Sequence, residues 1–312
     1  MEECPKLSVC MITYGHEKFI EKAINSVLMQ KCDFSIELII ANDCSPDKTD
    51  LVIQNILTNH PKASIIKYIR HHQNIGMVPN CFFVTQEAKG RYIAVCDGDD
   101  FWNDPMKLQK QVDFLESNPE YVISCHDTVV VNESGIKIQS SIFNDLQKKD
   151  WSEVKLINGA FIMPLTMCYR NLIKELPPEI YKVDNFDVFL ISLLGHFGKS
   201  KFQQEIEPAS YRQHSGGISS MISDLKKDFQ HKNTFWQIFK YYYRNNSTEY
   251  AVNYYTKYRQ MMFRLIKSRI SDFLYIDSVK LYTEFILNTI KYGFWKESIY
   301  LTVDILKFVK NK

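Results

Sequence analysis

The chain has 312 residues, 45% of them apolar and 24% charged, which suits one large domain or two ordinary ones and excludes a disordered chain. With 38 basic and 36 acidic residues the net charge is +2, so no general electrostatic argument for a nucleic-acid partner arises. Eight cysteines without a C-x-x-C pair read as reduced thiols in a cytoplasmic protein, against a disulfide framework or a zinc site. The N-terminal Glu2, Glu3 and Pro5 do not read as a signal peptide, and no apolar run approaches the ~20 residues that span a bilayer.

The first apolar run, Leu7 to Thr13, predicts a strand that ends at Tyr14-Gly15-His16. From Glu17, the apolar residues Phe19, Ile20, Ala23, Ile24, Val27 and Leu28 recur on one face of a helix closed near Lys31. Ile36 to Ala41 predicts a second strand, stopped by Asn42-Asp43-Cys44-Ser45-Pro46-Asp47, with Ser45 or Asp47 available to cap a helix from about Thr49 to Asn59. A third strand is expected from Ser64 to Ile69, followed by Arg70, His71 and His72, the turn Asn74-Ile75-Gly76 and a helix from about Val78 to Ala88. Four strand-then-helix units in a row, the fourth strand being Tyr92 to Cys96, predict an α/β fold with a mainly parallel sheet and helices on both faces.

That fourth strand runs straight into Asp97-Gly98-Asp99-Asp100, three carboxylates within four residues. Like charges so close repel unless a cation lies between them, and ligands of open α/β sheets bind at the carboxyl ends of strands. The stretch is therefore either a metal site or an acidic turn that caps the next helix. Polar ends on the other strands, at Thr13-Tyr14, Asn42-Asp43 and Arg70-His71, should meet it on one rim and favour the site. No G-x-G-x-x-G follows the first strand and no Walker A sequence occurs, so a bound nucleotide would depend on carboxylates and a metal.

Beyond the acidic stretch the pattern predicts a helix from Lys107 to Leu115, strands at Val122 to Cys125 and Thr128 to Val131, and a polar loop from Asn144 to Val154. It continues with an apolar strand from Phe161 to Tyr169, a buried helix over Val188 to Leu194 and an extended segment from Pro208 to His214. From about Lys226 the character changes. Helical patterns follow at Phe229 to Tyr243, Glu249 to Lys267, Val279 to Ile290 and Trp295 to Val309, with aromatic and basic residues interleaved. The expected division is 1–225 and a helical region at 226–312, whose aromatics read as core more readily than as membrane contact.

Six pieces in order resemble the family 2 glycosyltransferases, a large inverting group with a GT-A fold. They are Ser8-Val9-Cys10-Met11-Ile12-Thr13-Tyr14, Ser26-Val27-Leu28-Met29-Gln30, the run from Glu37 to Ser45, Asn74-Ile75-Gly76, Asp97-Gly98-Asp99-Asp100, and Tyr211-Arg212-Gln213-His214-Ser215-Gly216-Gly217. The resemblance implies a nucleotide-sugar-binding and catalytic domain at 1–225. It makes Thr13, Tyr14, Asn74, Gly76 and Gly98 part of the nucleotide-sugar pocket, Asp43 the acid on the base, expected to be uracil, and Asp97 the residue near the ribose. It makes Asp99 the residue that holds Mn²⁺ or Mg²⁺ against the diphosphate, His214 a further metal or diphosphate contact, and Asp187 the catalytic base. Three positions depart from the family pattern. Gly15 stands where Asn is frequent, Asn42-Asp43 where two acids are frequent, and Asp184 and Asp187 flank Asn185 where Glu-Asp is common. Asp187 is favoured over the alternative Asp184 by its distance to the following apolar helix and Gly195.

The implied activity is transfer of a hexosyl or N-acetylhexosaminyl group from a nucleotide-sugar, UDP-linked by expectation, to a glycan or lipid-linked acceptor in surface polysaccharide synthesis. The implied location is cytoplasmic, or peripheral at the inner face of the plasma membrane, with acceptor, oligomer or membrane contact through the C-terminal helices. The chemistry suits these residues. The transition state has oxocarbenium character, a divalent cation absorbs charge on the departing diphosphate, and a carboxylate deprotonates the acceptor hydroxyl. Blander readings stand beside each residue: Asp100 as a helix cap, Asp43 with Ser45 as an Asx-type turn, His214 as a loop histidine, and His71 and His72 at a solvated strand end. Trp102 either packs under the acidic loop or stacks on the acceptor sugar. Two rival functions remain at this level. A nucleotidyltransferase would normally carry a Gly-rich basic loop after its first strand, and a non-catalytic binding module would have lost the base or the metal acid.

Overall fold

The computed structural model describes residues 4–217, 223–272 and 274–310. The chain divides into two compact units, Met1–Leu176 with Phe186–Met221, and Pro177–Asn185 with Ile222–Lys312. In the first unit the elements run β1 (Leu7–Thr13), α1 (Ile20–Leu28), β2 (Ile36–Asn42), α2 (Thr49–Asn59), β3 (Ile66–Arg70), α3 (Met77–Glu87), β4 (Tyr92–Val95) and α4 (Lys107–Ser117). They continue with β5 (Tyr121–Cys125), β6 (Thr128–Val131), β7 (Lys137–Gln139), α5 (Glu153–Ile157), β8 (Cys168–Arg170), α6 (Phe186–Leu194), β9 (Lys199–Phe202) and β10 (Ala209–Arg212).

Among the described residues, seven strands form one sheet in the order β3-β2-β1-β4-β8-β5-β9. β1 to β4 are mutually parallel, and β8 runs antiparallel to both of its neighbours. A small second sheet has the order β10-β6-β7. Successive side chains of β1 point to opposite faces of the sheet, and helices cover both, so its apolar run is buried on either side. Leu7, Val9 and Met11 pack with Ile20, Ile24 and Val27 of α1, Ile53 of α2 and Val112 of α4. Cys10 points to the opposite face, with Ile39 and Ala41 of β2, Val84 of α3, and Leu190, Ile191 and Leu194 of α6. All eight cysteines are free.

The structure revises several expected elements. The third strand starts at Ile66, because residues 63–65 form a 3₁₀ turn. The apolar run from Phe161 yields a strand only at Cys168–Arg170: Pro164 cannot donate to a ladder and opens a 3₁₀ turn at Pro164–Thr166. The end of the expected polar loop joins the short helix α5. Two strands had no strong signal. β7 is exposed along its length, and β9 buries only Ser200 and Phe202 of its four residues.

The second unit contains α7 (Asp224–Arg244), α8 (Thr248–Ser271), α9 (Tyr275–Lys291) and α10 (Trp295–Lys310). Its interleaved aromatics form a core, with Phe239, Tyr242, Tyr254, Tyr255, Tyr258 and Phe285 all buried. Tyr255 stacks on Phe294 with ring centroids 4.4 Å apart. Among the described residues, no helix is long and apolar enough to cross a membrane.

Candidate active site

Parallel pairing brings the carboxyl ends of β2, β1 and β4 side by side. The ladder continues past β4, with Cys96 N–H donating to Cys10 O at 3.1 Å and Gly98 N–H to Ile12 O at 2.9 Å. The acidic loop therefore leaves the sheet directly beside Thr13. Gly98 makes this approach feasible. A Cβ at that position would lie 2.6 Å from Thr13 Oγ1 and 3.0 Å from His16 Nδ1.

The three carboxylates of the loop have different surroundings. Asp100 is buried, and its Oδ1 accepts the backbone N–H of Arg212 at 2.8 Å. Burial first, then the charge of Asp99, pushes its pKa well above the ordinary aspartate value. It ties the loop to β10, and it does not cap α4. Asp104 provides the turn there, accepting Met106 N–H at 2.8 Å. Asp97 is pushed up to about 7 by burial, then by the charges of Asp99 and Asp187. Asp99 goes the other way. Burial raises its pKa, but the hydrogen bond to His214 and the fields of His16 and His214 outweigh that and hold it below the usual range.

Arg212 clamps the loop from the far side. Its Nε donates to Asp99 O at 2.9 Å and its Nη1 to Glu133 O at 2.7 Å, with the guanidinium over the rings of Phe19 and Phe101. Two residues on, the His214 ring lies 4.6 Å from the Phe19 ring, and its Nε2 is 3.1 Å from Asp99 Oδ2. His16 Nε2 approaches the same oxygen at 3.7 Å. Ligating atoms of His16, Asp99 and His214 all lie within 4.8 Å of one another. Sequence reasoning singled out Asp99 and His214 and missed the roles of His16 and Arg212. The signal for His16 was its place at the end of the first strand, on the rim that already held Asp97. For Arg212 it was the two-residue spacing to His214 on an extended segment.

The remaining expected residues occupy two neighbourhoods. Asp43 is buried and accepts Ile75 N–H at 2.7 Å and Gly76 N–H at 2.9 Å, one on each carboxylate oxygen. It thereby shapes the Asn74-Ile75-Gly76 turn, where Gly76 has φ +92°. The Asx-type turn belongs instead to Asn42, whose Oδ1 accepts Ser45 N–H at 2.9 Å. Asn74 and Tyr14 are exposed, whereas the buried Thr13 turns its hydroxyl to His16 Nδ1 at 3.1 Å. Asp187 lies in the first turn of α6 and acts on Asp97 through its charge. Asp184 belongs to the helical unit, where its Oδ2 accepts Asn233 Nδ2–H at 2.7 Å. His71 Nε2 pairs with Asn80 Oδ1 at 2.9 Å. Trp102 is buried in the core, its Nε1–H donating to Leu165 O at 2.9 Å and Lys107 Nζ lying over its ring.

The family described as Glycosyl transferase family 2 matches residues 8–176, more than half of the chain. The chain belongs to glycosyl transferase family 2. An uncharacterized protein of Mycobacterium tuberculosis is 31% identical over 225 residues, covering 71% of this chain and 63% of that protein. An uncharacterized glycosyltransferase of Nostoc sp. is 28% identical over 218 residues, covering 67% and 65%. The chain thus spans just under two thirds of the length of these curated relatives. Among solved structures, S. aureus TarS 1–349 matches with a TM-score of 0.59 at 14% identity, over 95% of this chain and 88% of that one. The mannosyltransferase PcManGT of Pyrobaculum calidifontis, in complex with GDP-Man and Mn²⁺, matches with a TM-score of 0.56 at 12% identity, over 100% and 89%. At these identities the likeness concerns the fold, and the expected GT-A fold holds.

The residues at the family 2 rim fit the divalent ion that the resemblance implies. Asp99 is an ionised carboxylate, and the imidazoles of His16 and His214 face its Oδ2. Carboxylate oxygen and imidazole nitrogen are both donors to first-row divalent ions.

Proposed function

We propose that the protein is a metal-dependent, inverting glycosyltransferase that moves a sugar from a nucleoside-diphosphate sugar to a hydroxyl of a glycan or lipid-linked acceptor, as in surface polysaccharide synthesis. One observation carries the reading. On the rim of a family 2 sheet, Asp99 and His214 form a pair suited to a cation, and Asp187 stands near enough to raise Asp97. UDP-linked donors are the first choice. A structural neighbour, TarS, was solved with UDP-GlcNAc, and the PcManGT neighbour with GDP-Man, so both nucleotides belong in the test.

When bound, a divalent cation would neutralise the diphosphate as it leaves. The residues of the chain supply the rest. Asp99 and His214 hold the cation, and the Asp43-shaped turn at 75–76 borders the base. Asp97, with a pKa near neutrality, offers the nucleotide a carboxyl that can carry or release a proton. Asp187, at the start of α6, takes the proton of the acceptor hydroxyl as the anomeric carbon is attacked. Engagement of Asp184 with Asn233 supports Asp187 over Asp184 in this role.

The test is release of nucleotide from a panel of UDP- and GDP-sugars with Mn²⁺ or Mg²⁺, with and without candidate acceptors. Asp99→Ala should lose metal-dependent donor binding by calorimetry. Asp187→Asn should bind donor normally and lose at least about 100-fold in transfer rate, as expected for a missing general base. Normal transfer by Asp187→Asn would move the base elsewhere, and absence of donor binding under all conditions would refute the reading. A peripheral location at an anionic membrane surface is part of the same proposal. Ile276, Val279, Leu287 and Ile290 stay exposed on one face of α9, beside Lys280 and Lys291. Flotation with anionic but not neutral vesicles is the expected result; equal recovery with both would count against it.

A further inference from the structure

The acidic loop meets more than the downstream histidine. His16 is held from three sides. Its backbone N–H donates to Thr49 Oγ1 at 2.9 Å, its Nδ1 pairs with Thr13 Oγ1 at 3.1 Å, and Gly98 leaves room for its ring. The neighbouring Gly15 N–H donates to Ser45 Oγ at 3.0 Å, and Glu17 N–H to Asp47 Oδ2 at 3.0 Å, so the turn after β1 is clasped to the start of α2. With the ring proton on Nδ1, donated to Thr13 Oγ1, the Nε2 lone pair faces Asp99 Oδ2 at 3.7 Å. That distance is too long for a hydrogen bond. It matches the spacing of two donors on one ion, which at bond lengths near 2.1 Å stand about 3–4 Å apart. The 3.1 Å from His214 Nε2 to the same oxygen falls in the same interval.

We propose that His16 is a third protein ligand of the divalent cation, so that His16, Asp99 and His214 form a two-imidazole, one-carboxylate site that favours first-row transition ions over Mg²⁺. The proposal rests on the metal-dependent reading above and goes beyond it by naming a ligand and a selectivity. Mg²⁺ seeks oxygen donors and gives up its waters reluctantly, whereas imidazole nitrogen suits transition ions. Thr13 serves as the positioning residue: it selects the ring nitrogen that faces the ion, as hydrogen-bonding partners of metal-bound histidines commonly do. The remaining positions on the ion stay open for the oxygens of a diphosphate.

The experiment uses the full chain and the metal alone. Free Mn²⁺ is followed by electron paramagnetic resonance during titration of the wild type, His16→Ala and His16→Gln, with Mg²⁺ as competitor. The wild type should bind one Mn²⁺ that excess Mg²⁺ displaces poorly. Both variants should bind it at least about tenfold more weakly, since removing even an outer partner of a metal ligand costs that much. Electron spin echo modulation of the bound ion should count two imidazole nitrogens in the wild type, a readout that needs no variant to fold. One imidazole nitrogen, or variants that bind Mn²⁺ like the wild type, would overturn the inference and leave the metal-dependent reading standing. A wild type that binds no divalent ion, with or without added UDP or GDP, would overturn both.

Discussion

Replacing Asp97 with Asn should stabilise the metal-free protein at neutral and alkaline pH. The folded carboxyl titrates at about 7 instead of 3.8, raised by burial and by the charges of Asp99 and Asp187. A folded pKa above the unfolded one means that folding takes up a proton between the two values. The contribution of Asp97 is then undiminished below about pH 4, falls as pH rises, and is lost above about pH 7. At about 1.4 kcal/mol per pH unit the ceiling is about 4 kcal/mol, and partial exposure with solvent screening brings it to roughly 2. Asn is neutral throughout and escapes this loss. In chelator, the variant should match the wild type near pH 4 and exceed it by pH 8, with a melting midpoint roughly 4–8 °C higher for a unit of this size. Scanning calorimetry across that range is the assay. A variant no more stable than the wild type at pH 8, or with the same advantage at pH 4, would refute the electrostatic reasoning. Saturating Mn²⁺ should narrow the difference, because the cation relieves the repulsion that the substitution removes.

Gly98→Ala should destabilise by about 1–3 kcal/mol, the range for overpacking, and weaken Mn²⁺ binding with it, because the added methyl would meet Thr13 Oγ1 at 2.6 Å and displace the Thr13–His16 pair. Denaturant unfolding and metal titration check the two effects. Trp102→Phe removes the bond to Leu165 O and leaves a buried carbonyl without that donor, for a loss of about 1–3 kcal/mol. Because Trp102 is buried, acceptor KM should not change in that variant, and a selective rise in KM would restore the sugar-stacking reading.

Much of the fold was legible because local patterns and tertiary burial agree. The apolar runs of β1, β2 and β4 lie between helices on both faces, and the apolar stripe of α1 faces the same core. Where they disagree, the reading failed. Pro164 broke an apolar run into a 3₁₀ turn, and β7, exposed throughout, had no burial pattern to reveal it. In the site, the types of residue were visible but their partners were not. Asp100 looks like a helix cap by position, yet its partner is the backbone of Arg212, 112 residues away. Asp43 looks like part of a local turn and instead organises residues 75 and 76.

By itself the sequence determined the strand–helix alternation, the acids at the strand ends and the six ordered pieces that mark the family, since each is a property of neighbouring residues. The tertiary structure decided which acids differ. Asp97, Asp99 and Asp100 are nearly adjacent in the chain, but burial raises the pKa of two, and the histidines that hold the third low are His16, from the end of β1, and His214, just past β10. Those histidines are 198 residues apart in number, yet their rings lie 5.9 Å apart. The sheet order β2-β1-β4 and the return of β10 past the acidic loop bring them together, a long-range pairing that no local pattern encodes.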